Sequence, residues 1–287
     1  MIKKYIKLLR ISHWVKNLFV FAPLVFSKNL SDPDTFVKVL LAAIAFSIAS
    51  SIVYIVNDIA DVDNDKAHPI KKNRPIASGV ISVRSAVISA AILLLILAVL
   101  LSTFNIEFIY IVAGYTLLNF LYSFRLKKIV IVDIMSIATG FMLRIIGGAV
   151  VINVYISNWL ILTTLFLSLF LAIMKRKSEI ELNVQDAESR KVLKDYTGEF
   201  INQLSAISAA GIIICYALYS VSERTVNFFG TEDLVFTTIF VIFGVFRYMF
   251  LAYSQNKGES TIEILITDIP TIVNTLLYIL VVILIIY

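Results

Sequence analysis

The sequence predicts an all-α integral membrane protein with nine transmembrane helices. Three observations carry the prediction. Nine apolar stretches approach the roughly 20 residues needed to cross a bilayer. Hydrophobic residues make up 59% of the 287 and charged residues 16%, against roughly 25% charged in a soluble domain. The basic residues gather on one side of the predicted spans, as the positive-inside rule requires. No soluble domain fits between the spans, so 1–287 is expected to form a single transmembrane domain.

Residues 1–12 alternate basic and apolar side chains, the pattern of an interfacial helix on anionic lipid. The spans are expected at about 14–31, 36–56, 83–103, 107–124, 130–152, 157–174, 201–221, 234–254 and 270–287. Lys16 and Asn17 make the first the weakest. Ser31-Asp-Pro-Asp34 separates the first two, and Asn105 and Asn153 interrupt later ones.

Orientation follows from the loops. Lys3, Lys4, Lys7, Arg10 and Lys16 precede or open the first span. Lys66, Lys71, Lys72, Arg74 and Arg84 follow the second, and Arg125, Lys127 and Lys128 the fourth. Lys175, Arg176, Lys177, Arg190, Lys191 and Lys194 follow the sixth, and Lys257 the eighth. The opposite side holds only Lys28, Lys38 and Arg224. The N-terminus and the polar loops are therefore expected in the cytoplasm, with the C-terminus outside a cell (inner) membrane.

The net charge of +5 suits anionic lipid and phosphorylated substrates. Nucleic acid is not an expected partner, because the basic residues sit in short loops between spans. Cys215 lies alone in an apolar run, which excludes a disulfide framework and a thiolate metal site. Two His residues exclude a His-built metal centre. No cleavable signal segment follows the basic N-terminus, so none is expected.

The most informative stretch is Tyr54–Gly79. Asn57, Asp61 and Asp65 recur at i, i+4, i+8, which places them on one helix face. Asp58 and Asp63 lie beside them. Acidic clusters are usually solvated loops, but this one ends a membrane span, where charge is costly and tends to be functional. An EF-hand fits poorly, for want of the central Gly and the closing Glu. Oxygen ligands without Cys or clustered His favour Mg²⁺, which bridges one or two carboxylates to substrate phosphates. Lys71, Lys72 and Arg74 follow closely and suit the same phosphates.

Other polar residues are placed on the same side. His13-Trp14-Val-Lys16-Asn17 combines an interface anchor with polar groups at the mouth of a span. Lys16 reads either as a phosphate contact or as a snorkelling side chain. Tyr122-Ser-Phe-Arg-Leu-Lys127-Lys128 reads as a positive-inside anchor or as a phosphate-contacting loop. In the fifth span, Asp133 and Arg144 lie about three turns apart on one face and should line a polar cavity. Gly140, Gly147 and Gly148 allow close packing there. The predicted loop 175–200 holds Lys175 and Arg176, suited to phosphate. It also holds Asp195 and Glu199, suited either to capping or to metal or sugar hydroxyls. Arg247 and Asp268 are further candidates.

Asn57-Asp-x-x-Asp61-x-x-x-Asp65 at the end of a second span, followed by Arg74-Pro-Ile-Ala-Ser-Gly79, resembles the UbiA superfamily of membrane prenyltransferases. The resemblance covers essentially the whole chain and implies a UbiA-type helical bundle with a cytoplasm-facing polar cavity. It implies that Asn57, Asp61 and Asp65 hold Mg²⁺ on a diphosphate, with Asp61, Asp65 and Arg74 central to catalysis.

Within the superfamily, Arg10-Ile-Ser-His-Trp-Val-Lys-Asn17, Phe21-Ala-Pro23, Gly140-Phe-Met-Leu-Arg144 and the Lys175–Glu179 to Tyr196 loop are similar to the decaprenyl-phosphate phosphoribosyltransferase branch. That resemblance implies transfer of 5-phosphoribose from phosphoribosyl pyrophosphate (PRPP) to a polyprenyl phosphate. Lys16, Asn17, Asp58, Lys71, Lys127, Lys128, Arg144, Lys175, Arg176 and Tyr196 are the candidate substrate-binding residues on this reading. Ordinary prenyltransferases carry a second Asp-x-x-x-Asp motif after the sixth span; here its nearest equivalent is Asp195-x-x-x-Glu199 in a basic loop. An aromatic prenyltransferase is the first competing reading. A transporter or channel is the second, suited by Arg144 and Arg247 but lacking inverted repeats. A homo-oligomer is compatible with the sequence, which does not specify one.

Overall fold

The computed structural model describes residues 2–67, 71–181, 193, 195–254 and 267–286. Arg190, Lys191, Lys194 and Lys257, used above for orientation, lie outside the described residues. Among the described residues all regular structure is helical.

α1 (Ile2–Leu8) is a short helix within the segment 1–12, and it stops before Arg10, whose φ of 50° leaves the helical region. A 3₁₀ helix, Ile11–Phe21, then runs into α2 (Ala22–Phe26). The sequence expects one span here. The structure has an apolar segment shorter than the other spans. Pro23 sits in the first turn of α2, where its missing N–H goes unneeded and marks the start of a new helix.

The remaining eight predicted spans are helices long and apolar enough to cross a membrane. α3 (Pro33–Ala60) starts on Asp32, whose carboxylate accepts the N–H groups of Asp34 and Thr35, both at 3.3 Å. Pro33 takes the first turn, where no N–H is needed. α4 (Val62–Ala67) and a 3₁₀ turn, Lys71–Asn73, follow. Ser82 caps α5 (Val83–Leu101) by accepting the Ser85 N–H at 3.1 Å. Asn105 accepts the Phe108 N–H at 3.1 Å at the start of α6 (Ile106–Phe124).

A 3₁₀ turn, Leu126–Lys128, leads to α7 (Val132–Val151). The chain then reverses at Asn153, which takes a left-handed φ of 53°. Both predicted breakers thus act, Asn105 as a cap and Asn153 as a turn. α8 (Asn158–Glu181) outruns its predicted end. Lys175–Glu179 is helix rather than loop, because Lys, Arg and Glu are good helix formers and Arg176 pairs with Glu179 at i+3, 2.6 Å. Then come α9 (Gly198–Val221), α10 (Glu223–Phe229), a 3₁₀ turn Asp233–Thr237, α11 (Thr238–Ser254) and α12 (Ile269–Ile286).

The chain divides into two compact units: Met1–Phe124 with Leu143–Tyr155, and Arg125–Met142 with Ile156–Tyr287. In the first, α3 is central. Its buried Ala42, Ala43, Ala45, Ser47, Ala49 and Ser51 let neighbours approach closely. Phe46 meets Phe108 and Tyr115 edge-on, at 5.8 and 5.1 Å between ring centroids. A Cβ on Gly148 would lie 2.1 Å from the Val20 carbonyl oxygen, so only glycine permits this contact. In the second unit, Phe170, Met174, Ala209 and Ile212 join Val245, Tyr248 and Leu251 in a core of α8, α9 and α11. Large apolar side chains such as Leu95, Val99, Ile207 and Leu284 point outward and are more than half exposed. That surface suits hydrocarbon, where helices satisfy their own backbone groups. The protein is an integral membrane protein.

Candidate active site

The acidic turn is built on a continued helical register. α3 ends at Ala60, and Asp61 bonds back through its N–H to the Asn57 carbonyl at 2.9 Å. The Asp65 N–H reaches the Asp61 carbonyl at 2.8 Å. The i, i+4, i+8 spacing therefore survives one break in the helix. An apolar cluster of Leu8, Ile55, Ile76, Ile81 and Ala86 packs α1, α3 and α5 together. Burial of Ile76 seats the Arg74-Pro75-Ile76 segment against the end of α3. Lys7 Nζ donates to the Asn73 carbonyl at 3.0 Å and ties α1 to the turn that carries the half-buried Lys71.

Arg74 Nη1 donates to Asp65 Oδ2 at 2.7 Å and to Asp58 Oδ1 at 3.1 Å. Arg10 Nη2 donates to the same Asp58 oxygen at 2.6 Å and stacks over Tyr54, 4.5 Å from the ring centroid. Asp58 and Asp65 are buried, so both carboxylates rely on these guanidinium groups. Asp58, given to substrate by the sequence, is engaged inside the protein. Arg10, read in the sequence as part of a lipid-facing segment, is its shortest partner. No local signal pairs residues 48 positions apart.

Asn57 and Asp61 differ from these. Both are half-buried, and among the described residues neither side chain has a hydrogen-bond partner. Among the described residues no three His, Cys, Asp or Glu side chains converge into a metal cage. The donor set nonetheless fits a hard cation. Mg²⁺ is ordinarily held by one or two carboxylates, its own waters and substrate phosphates rather than by an all-protein cage. An amide oxygen at Asn57, the Asp61 carboxylate and the remaining lone pairs of Asp65 meet that need.

A second polar cluster lies in the same unit. Asn17 Nδ2 donates to Ser47 Oγ at 2.7 Å, and Asn17 Oδ1 accepts from Arg144 Nε at 2.7 Å. Arg144 Nη2 donates to the Tyr115 hydroxyl at 2.7 Å, with its guanidinium 4.7 Å from the Tyr115 ring centroid. Trp14 donates to Ser51 at 3.1 Å, and Ser51 donates to the Leu9 carbonyl at 2.9 Å. Half-buried Lys16 feels the positive charges of Arg144 and Arg10. Among the described residues it makes no hydrogen bond or ion pair. A sheltered cation beside two others attracts an anion.

The second unit holds the other predicted residues. Asp133 is fully buried; Arg176 Nε donates to one of its oxygens at 2.8 Å and the Tyr196 hydroxyl to the other at 2.7 Å. Burial, and then the bond to Asp133, hold the Tyr196 hydroxyl well above its ordinary pKa, so it stays a protonated donor. Arg176 and Tyr196, expected on substrate, are thus committed to protein groups. Asp133 and Arg144, read as one polar stripe, have separate partners. Lys127 is half-buried and Lys128 exposed on the turn Leu126–Lys128. Lys175 is half-buried on α8. Asp195 and Glu199 are exposed, Glu199 in the first turn of α9, whose cap is Thr197. Arg247 binds Asp268 through two bonds, 2.8 and 3.1 Å.

Residues 18–192 match the model of the UbiA prenyltransferase family. The chain is 34% identical to the decaprenyl-phosphate phosphoribosyltransferase of Mycolicibacterium smegmatis, over 79% of this chain and 73% of that protein. It is 35% identical to the Corynebacterium glutamicum protein of the same name, over 75% of this chain and 66% of the other. A solved UbiA homologue from Archaeoglobus fulgidus, bound to GPP and Mg²⁺, shares the fold with a TM-score of 0.73 at 19% identity, covering 99% of both chains. With the Asn57–Asp65 spacing at the end of α3 and the Arg74 block folded back upon it, these matches show that the chain is a transferase belonging to the UbiA prenyltransferase family, in its decaprenyl-phosphate phosphoribosyltransferase-like branch.

Proposed function

We propose that this chain is an Mg²⁺-dependent transferase that moves 5-phosphoribose from PRPP to a polyprenyl phosphate and releases pyrophosphate. It would work as one transmembrane domain in a cell (inner) membrane, with its site at the cytoplasmic face. The observation that carries the reading is that the Asn57 and Asp61 side chains have no hydrogen-bond partner among the described residues, beside an Arg74-anchored Asp65. This arrangement leaves ligand capacity facing a phosphate-bearing substrate while the neighbouring carboxylates are neutralised. The names of the bacterial relatives support phosphoribose as the transferred group.

Asn57, Asp61 and Asp65 would hold the Mg²⁺. Bound there, the ion supplies Lewis-acid neutralisation of charge on the departing pyrophosphate. Arg74 holds the Asp65 carboxylate in place through its 2.7 Å bond, and adds fixed positive charge with Lys71. Arg10 and Arg74 together neutralise Asp58, so that carboxylate does not repel the diphosphate. The C1–O bond of the donor breaks with both electrons leaving on pyrophosphate. A lipid phosphate oxygen then forms the new bond to C1. The acceptor is already anionic near neutral pH, so no proton need be removed and no Ser-His-Asp or Cys-His arrangement is called for. Lys16, with Arg144 and Asn17 behind it, provides a sheltered cation for one substrate phosphate. Lys127, Lys128 and Lys175, in the second unit, are further candidates for contact with a substrate phosphate. Arg176 and Tyr196 serve by holding structure.

One observation favours a second reading, transfer of a prenyl group to an aromatic acceptor: the archaeal homologue of the same fold holds GPP. Against it, the acidic pair Asp195 and Glu199 is exposed and stands in for a two-Asp motif. The purified protein with Mg²⁺ should label polyprenyl phosphate from radiolabelled PRPP. Label transferred only from a prenyl diphosphate to an aromatic acid would establish the second reading instead, and binding or flux without chemistry would point to a transporter.

A further inference from the structure

The joint between the basic turn Leu126–Lys128 and α7 is strained. Ile131 has a φ of 69°. For a β-branched residue this is a true outlier, because its Cβ crowds the backbone. The Val132 N–H bonds the Val130 carbonyl at 2.8 Å, closing a three-residue turn of the rare, positive-φ hand around Ile131. Such a conformation persists only where its surroundings over-determine it.

The surroundings are specific. The Ile131 N–H donates to the Tyr196 hydroxyl at 2.8 Å. That hydroxyl donates in turn to Asp133 Oδ1 at 2.7 Å. Asp133 Oδ2 accepts from Arg176 Nε at 2.8 Å, and Arg176 Nη1 donates to Glu179 at 2.6 Å. Asp133, Arg176 and Tyr196 are all almost wholly buried. The Tyr196 ring packs in a core with Ile134, Ala172, Ile173 and Ile201, so its hydroxyl is fixed from both ends. The chain thereby runs from α8, through one carboxylate and one phenol, to the backbone three residues beyond Lys128.

We propose that Tyr196 is a positioning residue whose hydroxyl, fixed by Asp133 and Arg176, latches the strained turn at Ile131 and so sets the geometry in which Lys127 and Lys128 meet a substrate phosphate. The proposal rests on the phosphoribosyl-transfer reading for the identity of that substrate. It also explains why a polar network is buried here: its product is a backbone conformation, not a ligand contact.

The test is Tyr196→Phe in the full chain, which keeps the packed ring and removes the hydroxyl. Kinetics are measured with PRPP and polyprenyl phosphate varied in turn, and amide hydrogen exchange is followed across 127–132. The latch predicts KM for one of the two substrates raised about tenfold with kcat changed less than about twofold, because a misplaced binding group weakens positioning. It predicts faster exchange at 127–132. Adding Ile131→Gly, which accepts positive φ without strain, should bring KM back towards the parent value. Parent-like KM and exchange in Tyr196→Phe overturn the latch. So does a loss of kcat and folded yield that Ile131→Gly does not rescue, since that is the signature of a purely structural role. Faster exchange with unchanged KM overturns the claim that the turn serves a phosphate. Failure of the transfer reading shows separately, as an unmodified protein that does not label polyprenyl phosphate from PRPP.

Discussion

Asp61 caps the end of α3 and Arg74 follows the turn Lys71–Asn73, and substitution at the two should differ in its effect on stability. Asp61 has no side-chain partner among the described residues, so Asp61→Asn should leave unfolding in detergent within about 0.5 kcal/mol of the parent. Transfer from labelled PRPP should nevertheless fall by about 10²–10³-fold, the scale seen when one preorganised electrostatic group is removed from an active site. Near-normal turnover would refute its place in the metal set. Arg74 bonds two buried carboxylates at 2.7 and 3.1 Å. Arg74→Ala strands Asp65, and should cost about 3–5 kcal/mol of stability as well as activity. An Arg74→Ala protein that melts like the parent would show that the ion pairs carry no structural weight.

Close helix contacts make a sharper demand on side-chain volume than any apolar pattern states. Gly148→Ala would place a methyl group 2.1 Å from the Val20 carbonyl oxygen, a backbone atom that cannot rotate away. Overpacking of this kind costs about 1–3 kcal/mol, readable as a lower melting temperature; an unchanged one would mean that α7 and the 3₁₀ helix separate freely. At the far end of the chain, Arg247 joins α11 to the start of α12 through Asp268. The hydrogen bonds from Arg247 hold the Asp268 carboxyl well below its ordinary pKa. A depressed carboxylate contributes stability above its unfolded pKa of about 3.9, lost as pH falls through the folded value. The stability gap between the parent and Asp268→Asn should therefore be constant from about pH 8 to pH 5 and close only in stronger acid. A gap that already closes near pH 6 would contradict the pairing.

For the whole molecule, the proposed reaction separates folding from metal. The helices are held by apolar packing and by Arg–carboxylate pairs, while the side chains of Asn57 and Asp61 have no hydrogen-bond partner among the described residues. Removing divalent ions with a chelator should abolish phosphoribosyl transfer, spare the helical circular dichroism, and be reversed by Mg²⁺. Loss of helicity on chelation would make the ion structural and overturn that separation. The two units are each built around their own polar core, Asn17–Arg144–Tyr115 in one and Asp133–Arg176–Tyr196 in the other. In a membrane-spanning chain such buried ionisable groups are costly unless paired, and here each has found partners of its own.

Most of the architecture was legible in the sequence, because bilayer thickness imposes a length on every span and caps such as Asp32, Ser82 and Asn105 act locally. The spacing of Asn57, Asp61 and Asp65 was legible too, since four residues nearly complete a helical turn and the register survives the break at Asp61. What only tertiary structure decided is which charges meet. Arg10 reaches Asp58, Arg176 reaches Asp133, and Arg144 turns to Asn17 and Tyr115, pairings separated by 29 to 127 residues. No periodicity encodes them, because an ion pair needs only two atoms about 3 Å apart, and that distance is set by how helices pack rather than by where their residues fall along the chain.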